Sequence, residues 1–245
     1  HCDGSGKFNR GTEPLPENLG DLGKKVLDNN ADIGFAVDPD ADRLAIVNNF
    51  GQPLGEEYTL VLAAEGFLKE VGKGQDIVTN LSTTIALEKM AEKNDSKVQR
   101  TAVGEINVVK RMIEIGSNIG GEGNGGVILK EAHLGRDSLV GVAMILNRLS
   151  QDADKSISEI HNTLPQFNIV KDKVQLDHID ESELIRTAKD VFINSTIDTT
   201  DGIKFIWSDK WIHLRKSNTE PIIRIYAEAP TIKDAKILIQ KLKSQ

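Results

Sequence analysis

From Glu56 onward, apolar residues at helical spacing alternate with short apolar runs of strand length, and this alternation limits the fold more than any other feature of the chain. Helices are expected over about 57–70, 83–93, 105–115 and 137–149, the last carrying Leu139, Val142, Ala143, Ile145, Leu146 and Leu149. Strands are expected at Asp76–Asn80, Val98–Thr101 and Asn118–Gly120. Antiparallel strands need only a tight turn between them, whereas parallel strands need a crossover of helix length. A helix between each pair of strands therefore predicts βαβ units and a mostly parallel sheet.

The flanks read differently. Leu19, Leu22, Val26 and Leu27 share one helical face behind Pro16, and Ile33–Val37 and Leu44–Val47 read as strands, the second followed by a turn at 49–53. Beyond the helix near 149, the polar run Ser150–Ser156 reads as a linker. After it come a strand near Asn168–Leu176, a helix near 181–191, strands at Ile203–Trp207, Trp211–Leu214 and Ile222–Ala227, and an amphipathic helix at Ile232–Leu242. That order implies an α+β block with antiparallel hairpins. Three successive parts are expected: 1–53, 54–154 and 155–245.

Composition excludes several classes. The single cysteine, Cys2, cannot form an internal disulfide or a zinc site, so nothing points to an oxidising compartment and a cytoplasmic setting is expected. The longest apolar run, Thr59–Ala64, falls far below the roughly 18 residues of a membrane span. A net charge of −7 argues against broad binding of nucleic acid or anionic membrane, so an anionic ligand must be held by a few local groups. The chain opens on His1-Cys2-Asp3-Gly4-Ser5-Gly6 without an initiator Met or signal pattern, which reads as part of a longer protein.

Three loops carry residues suited to chemistry. In Asp38-Pro39-Asp40-Ala41-Asp42-Arg43, carboxylates at alternate positions cannot all ionise close together without a compensating cation. Mg²⁺, which prefers oxygen ligands at about 2.0–2.1 Å, supplies that charge, and Arg43 adds a cation suited to a phosphate oxygen. An EF-hand is excluded, because its sixth and twelfth positions would be Arg43 and Asn49 rather than Gly and Glu. An acidic strand-capping turn and an Asp-nucleophile phosphatase using Asp38 stay open at this level.

The second loop, Gly120-Gly121-Glu122-Gly123-Asn124-Gly125-Gly126, formally contains the dinucleotide fingerprint. A strand-like Val127-Ile128-Leu129 follows where that fingerprint requires a helix. Glycines admit close backbone approach, and Glu122 and Asn124 have hydrogen-bonding groups for a polyol. The third loop, Arg215-Lys216-Ser217-Asn218-Thr219-Glu220-Pro221, gathers cations, hydroxyls and an amide between two strands, the makings of an anion cradle. Taken singly, these two loops read equally as a structural turn and a solvated hairpin. His133, His161, His178 and His213 lack ligand spacing, Trp207 and Trp211 suit packing, and Lys110-Arg111 suits a helix face.

In this order the loops resemble those of the α-D-phosphohexomutase superfamily, comprising phosphoglucomutase, phosphomannomutase and phosphoglucosamine mutase. Residues 38–43 are similar to its metal loop D-G-D-x-D-R, residues 121–126 to its sugar loop G-E-x-S-G-H, and residues 215–221 to its phosphate loop R-x-S-N-T-x-P. The approach Glu13-Pro14-Leu15-Pro16-Glu17-Asn18-Leu19 is similar as well. The resemblance implies the later part of family domain 2, then domain 3, both α/β, and a domain 4 like the TATA-binding-protein fold. The phosphoserine domain of the same enzyme would be missing, leaving this chain inactive alone.

It further implies reversible transfer of phosphate between the 1- and 6-positions of a hexose through a phosphoserine and a bisphosphorylated sugar. Asp38, Asp40 and Asp42 would hold Mg²⁺ and Arg43 would steady the transferring phosphoryl group. Glu122 and Asn124 would grip sugar hydroxyls, and Arg215, Ser217, Asn218 and Thr219 would hold the other phosphate. Two departures matter. Gly126 stands where some members carry His, and Thr101-Ala102-Val103-Gly104-Glu105 lacks the His that some carry after the Gly, so no general base carries over and Glu105 is the candidate left. A non-catalytic sugar-phosphate-binding module is the alternative from another class.

Overall fold

The computed structural model describes residues 4–7, 10–175, 181–217 and 220–244. The chain divides between Pro165 and Gln166 into two units, each with its own core.

The first unit begins with helix α1 (Gly20–Asp28) against an antiparallel hairpin of β1 (Ile33–Val37) and β2 (Leu44–Asn48). Leu19, Val26, Ala45 and Val47 bury their side chains together there, the outcome of one apolar helical face meeting one face of a pleated pair. Val37 pairs with Leu44, so the acidic segment 38–43 is the loop of this hairpin. The alternating block follows: α2 (Glu57–Val71), β3 (Asp76–Asn80), α3 (Ala86–Lys93), β4 (Lys97–Thr101), α4 (Glu105–Ile115), β5 (Ile119–Glu122), β6 (Gly126–Leu129) and α5 (Ser138–Ser150).

The sheet order is β4-β3-β5-β6, with β3 parallel to both β4 and β5 and β6 antiparallel to β5. The expected βαβ organisation is present. Val78 and Ile128 bury with Val108 and Met112 of α4, while Leu60 of α2 lies against Gly121 and Met112 against Gly120. Successive residues of β5 thus face opposite helical layers, as the period of two requires.

Three differences from the expected elements have physical causes. Strand β5 extends beyond Gly120, because Gly121 and Glu122 pair with Val127 and Gly126 of β6 and this ladder outweighs glycine's low strand propensity. The second loop shrinks accordingly to a tight turn at 123–125. The polar run read as a linker is a turn pinned by Asp152, which accepts from Lys69 Nζ at 2.7 Å and Arg148 Nη1 at 2.8 Å. It leads into a helix missed in the sequence, α6 (Ile157–Thr163), which buries Ile157 and Ile160 and opens with a capping box between Ser156 and Glu159.

The second unit is an antiparallel sheet in the order β7-β11-β10-β9-β8, with α7 (Glu181–Val191) and α8 (Ile232–Lys243) as its helices. Its strands are β7 (Asn168–Gln175), β8 (Thr196–Asp198), β9 (Ile203–Ile206), β10 (Trp211–Lys216) and β11 (Ile222–Ala229). Phe205, Ile212, Leu214 and Ile225 bury with Phe192, Leu238 and Ile239. Strand β8 was not expected, since Thr196-Ile197-Asp198 is short and mostly polar. The tryptophans pack: Trp207 meets the Phe192 ring edge-on at 5.7 Å, and Trp211 is buried and donates to Glu228. Leu176, His178 and Cys2 lie outside the described residues. Among the described residues no helix is long and apolar enough to cross a membrane.

Candidate active site

The hairpin loop 38–43 folds over its first residue. Asp38 Oδ1 accepts from the backbone amides of Asp42 at 3.2 Å and Arg43 at 3.1 Å, while Ala41 N donates to Asp38 O at 3.1 Å. Ala41 holds a φ of +60°, a left-handed conformation uncommon for a residue with a Cβ. This turn brings the three carboxylates together. Oxygens of Asp38, Asp40 and Asp42 lie within 4.8 Å of one another, Asp38 buried and Asp40 exposed.

Charge is concentrated there. Burial pushes the Asp38 carboxyl above its ordinary value, and Asp42 and Asp40 push it the same way, while the Arg43 amide and guanidinium pull against them. Arg43 Nε lies 3.4 Å from Asp38 Oδ2 and 3.8 Å from Asp42 Oδ1 without making a hydrogen bond, and its Nη1 reaches Glu13 Oε1 at 3.3 Å. Asp42 Oδ1 is buried and accepts no hydrogen bond. A buried carboxylate oxygen that accepts no hydrogen bond, beside two further carboxylates, fits a hard divalent cation. The donor set is all oxygen, as Mg²⁺ requires.

The glycine-rich loop stands against the same place. Gly125, at φ +93°, accepts from Leu44 N at 3.0 Å, so the turn docks on the first residue of β2, immediately after Arg43. Asn124 is half-buried, and its Oδ1 accepts from Gly126 N at 3.2 Å. Glu122 is buried at the end of β5; its Oε1 accepts from Asn80 Nδ2 at 2.7 Å and Gly104 N at 3.2 Å.

One residue that sequence reasoning missed joins the two loops. Arg136 donates to Asp42 Oδ2 through Nη2 and to Glu122 Oε2 through Nη1, the latter at 2.6 Å. Its Nε lies 3.5 Å from Glu105 Oε2, and its backbone N–H donates to Glu105 Oε1 at 2.7 Å. Nothing in the spacing of Gly135-Arg136-Asp137 marks it out. Its signal is structural: Asp137 caps α5, accepting from Leu139 N and Val140 N, and so fixes where the preceding residue points. Glu105, left from the sequence as a base, is an anchor for Arg136. His133 Nε2 lies 3.0 Å from Asp137 Oδ2, and this hydrogen bond lowers the Asp137 carboxyl below its ordinary value.

The third loop belongs to the second unit. Arg215 Nε donates to Asp201 Oδ2 at 2.7 Å, and Ser217 is buried, its N–H donating to Ile222 O at 2.9 Å. Asn218 and Thr219 lie outside the described residues. Behind Arg215 on the same strand, His213 is buried and its Nε2 donates to Asp201 O at 2.6 Å; burial brings its pKa down to about 4.

Comparison with known proteins places the chain in a family. Residues 1–51, 55–167 and 169–242 match, in turn, the family descriptions phosphoglucomutase/phosphomannomutase alpha/beta/alpha domain II, alpha/beta/alpha domain III and C-terminal domain. A phosphoglucomutase/phosphomannomutase of Thermococcus kodakarensis is 36% identical over 93% of this chain and 50% of its own length. A probable phosphoglucosamine mutase of Pyrococcus horikoshii is 34% identical over 100% of this chain and 54% of its own. The crystal structure of a phosphoglucomutase/phosphomannomutase family protein from Burkholderia thailandensis superposes with a TM-score of 0.79 at 28% identity, covering 95% of this chain and 50% of that one. The chain thus spans about half the length of the relatives it matches.

Proposed function

The chain belongs to the phosphoglucomutase/phosphomannomutase family, and from that premise we propose that it carries the metal-, sugar- and phosphate-holding parts of a phosphohexomutase interconverting hexose 1-phosphate and 6-phosphate. Asp38, Asp40 and Asp42 hold Mg²⁺, which when bound neutralises charge on the transferring phosphoryl group. Arg43, whose Nε is buried 3.4 Å from Asp38 Oδ2 without a hydrogen bond, turns its guanidinium to a phosphoryl oxygen. Glu122 and Asn124 face the sugar hydroxyls. Arg215, Ser217, Asn218 and Thr219 hold the phosphate that is not being transferred. Recognition through that phosphate tolerates both orientations of the sugar, because a dianion presents much the same charge from either end of the hexose.

The phosphoryl donor is a phosphoserine contributed from outside these residues. The sugar hydroxyl takes its phosphoryl group as the serine Oγ–P bond breaks, its proton passing to the serine oxygen; the bisphosphorylated sugar turns, and its other phosphoryl group returns to the serine oxygen as the proton passes back to the sugar. The preferred hexose is glucose, mannose or glucosamine phosphate, in a cytoplasmic setting without nucleic acid or membrane as partner.

The observation that supports this reading is the direct bridge Asp42–Arg136–Glu122, which ties the acidic loop to the end of the strand that leads into the glycine-rich turn. Calorimetric titration of the 245-residue protein with glucose 1-phosphate, mannose 1-phosphate and glucosamine 1-phosphate in Mg²⁺ tests it. Binding of at least one without turnover, weakened at least tenfold by Arg215→Ala, is expected. Absence of binding by all three, or release of inorganic phosphate from a generic phosphomonoester by this chain alone, overturns it.

A further inference from the structure

We infer that Arg136 is a specificity-determining residue for the divalent cation: by occupying Asp42 Oδ2 it makes that carboxylate a one-oxygen ligand and selects a small octahedral ion against Ca²⁺. The inference rests on the proposed metal-holding role of residues 38–42 and concerns how this chain's own side chains present their oxygens.

The geometry is specific. Asp42 has its Oδ2 bound to Arg136 Nη2 and its Oδ1 buried without a hydrogen-bond donor. Asp38 is divided the same way, with Oδ1 taken by two backbone amides and Oδ2 facing the cluster 3.4 Å from Arg43 Nε. Two of the three carboxylates therefore offer one oxygen each. Ca²⁺ accepts more ligands, longer bonds and bidentate carboxylates, whereas Mg²⁺ demands near-octahedral geometry and fewer protein oxygens. Blocking one oxygen of a carboxylate is a discrimination between those two demands.

Arg136 is held firmly enough to do this. Its side chain is 12% exposed; Nη1 donates to Glu122 Oε2, Nε lies 3.5 Å from Glu105 Oε2 without a hydrogen bond, and the backbone N–H of the same residue donates to Glu105 Oε1. A planar fork spans several carboxylates at once, which an ammonium cannot do in the same geometry. The position also depends on Gly126. A Cβ there would lie 2.9 Å from Arg136 Cγ and closer still to Cδ, so a side chain at 126 displaces the arginine without changing any charge.

Affinities of Mg²⁺, Mn²⁺ and Ca²⁺ for the 245-residue protein, read by calorimetry and by competition against the Mn²⁺ paramagnetic signal, test the inference. The readout is the ratio of Mn²⁺ to Ca²⁺ affinity, because loss of a positive charge acts equally on two divalent ions and cancels. The wild type is expected to favour Mn²⁺ and Mg²⁺ over Ca²⁺ at least tenfold. Arg136→Met and Gly126→Ala should each move the ratio at least fivefold toward Ca²⁺, with circular dichroism reporting an intact fold, while Arg136→Lys, able to cap one oxygen, recovers most of it. A ratio within twofold of wild type in both folded variants, or a wild type without preference, overturns the role of Arg136. A wild type that binds none of the three ions overturns the metal-loop reading and this inference with it.

Discussion

Gly126 and Arg136 exclude each other's side chains: the room a Cβ would take at 126 is filled by the methylenes of Arg136. A side chain at the end of the glycine-rich loop and an arginine at 136 are thus alternative occupants of one space, which gives a physical reason for glycine in this chain where some members of the family carry histidine. Overpacking at a site whose neighbour is tied to three carboxylates costs about 1–3 kcal/mol. Gly126→Ala should lower the urea midpoint by that amount, and the double variant Gly126→Ala with Arg136→Ala should recover the packing part of the loss. Equal midpoints for Gly126→Ala and wild type would sink this account.

Divalent cation should stabilise the folded chain. A ligand that binds only the native state at 100 times its dissociation constant adds about 2.7 kcal/mol. Mg²⁺ should therefore raise the melting temperature, and chelation should reverse the rise. Asp38→Asn keeps an oxygen for the amides of Asp42 and Arg43 yet removes the ligand charge, so its melting temperature should be insensitive to Mg²⁺. A variant that gains as much as wild type places the ion elsewhere.

Acid should weaken the fold through His213. Its folded pKa is about 4 against an ordinary 6.5, because burial disfavours the imidazolium. The unfolded chain binds that proton and the folded chain does not, so the stabilisation is complete above pH 6.5 and declines as pH falls toward 4. At roughly 1.36 kcal/mol per unit, the total is on the order of 3 kcal/mol. Urea unfolding between pH 7 and pH 4 should show this slope in wild type and a shallower one in His213→Gln; parallel slopes would remove His213 as the cause.

The helix absent from the sequence reading carries its own test. Ser156 Oγ accepts from Glu159 N, and Glu159 Oε2 accepts from Ser156 N at 2.8 Å. Removing such a cap costs about 0.5–2 kcal/mol. Ser156→Ala should lower stability by about 1 kcal/mol in denaturant unfolding, and Ser156→Asp should restore most of it. No loss in the alanine variant would mean that the burial of Ile157 and Ile160 alone holds α6.

The elements read correctly from sequence were those with strong periodicity. Leu19, Leu22 and Val26 announce α1, and Ile203, Phe205, Ile212 and Leu214 announce the sheet of the second unit, because a half-buried helix or strand must repeat its apolar residues at its own period. The misread ones lacked that property. Gly121 and Glu122 became strand through pairing with β6, β8 is polar, and α6 is a two-turn helix marked chiefly by its cap.

The site divides along the same line. Asp38, Asp40, Asp42 and Arg43 lie within one loop, and their convergence follows from a hairpin turn that local spelling dictates. Chain order alone therefore determined that loop and the presence of a glycine-rich turn. Only the tertiary structure decided that Arg136 joins Asp42 to Glu122, residues separated by about half the length of the first unit. A side chain's partner across a sheet depends on strand order and helix placement, and those arise from the packing of whole layers, not from neighbouring residues.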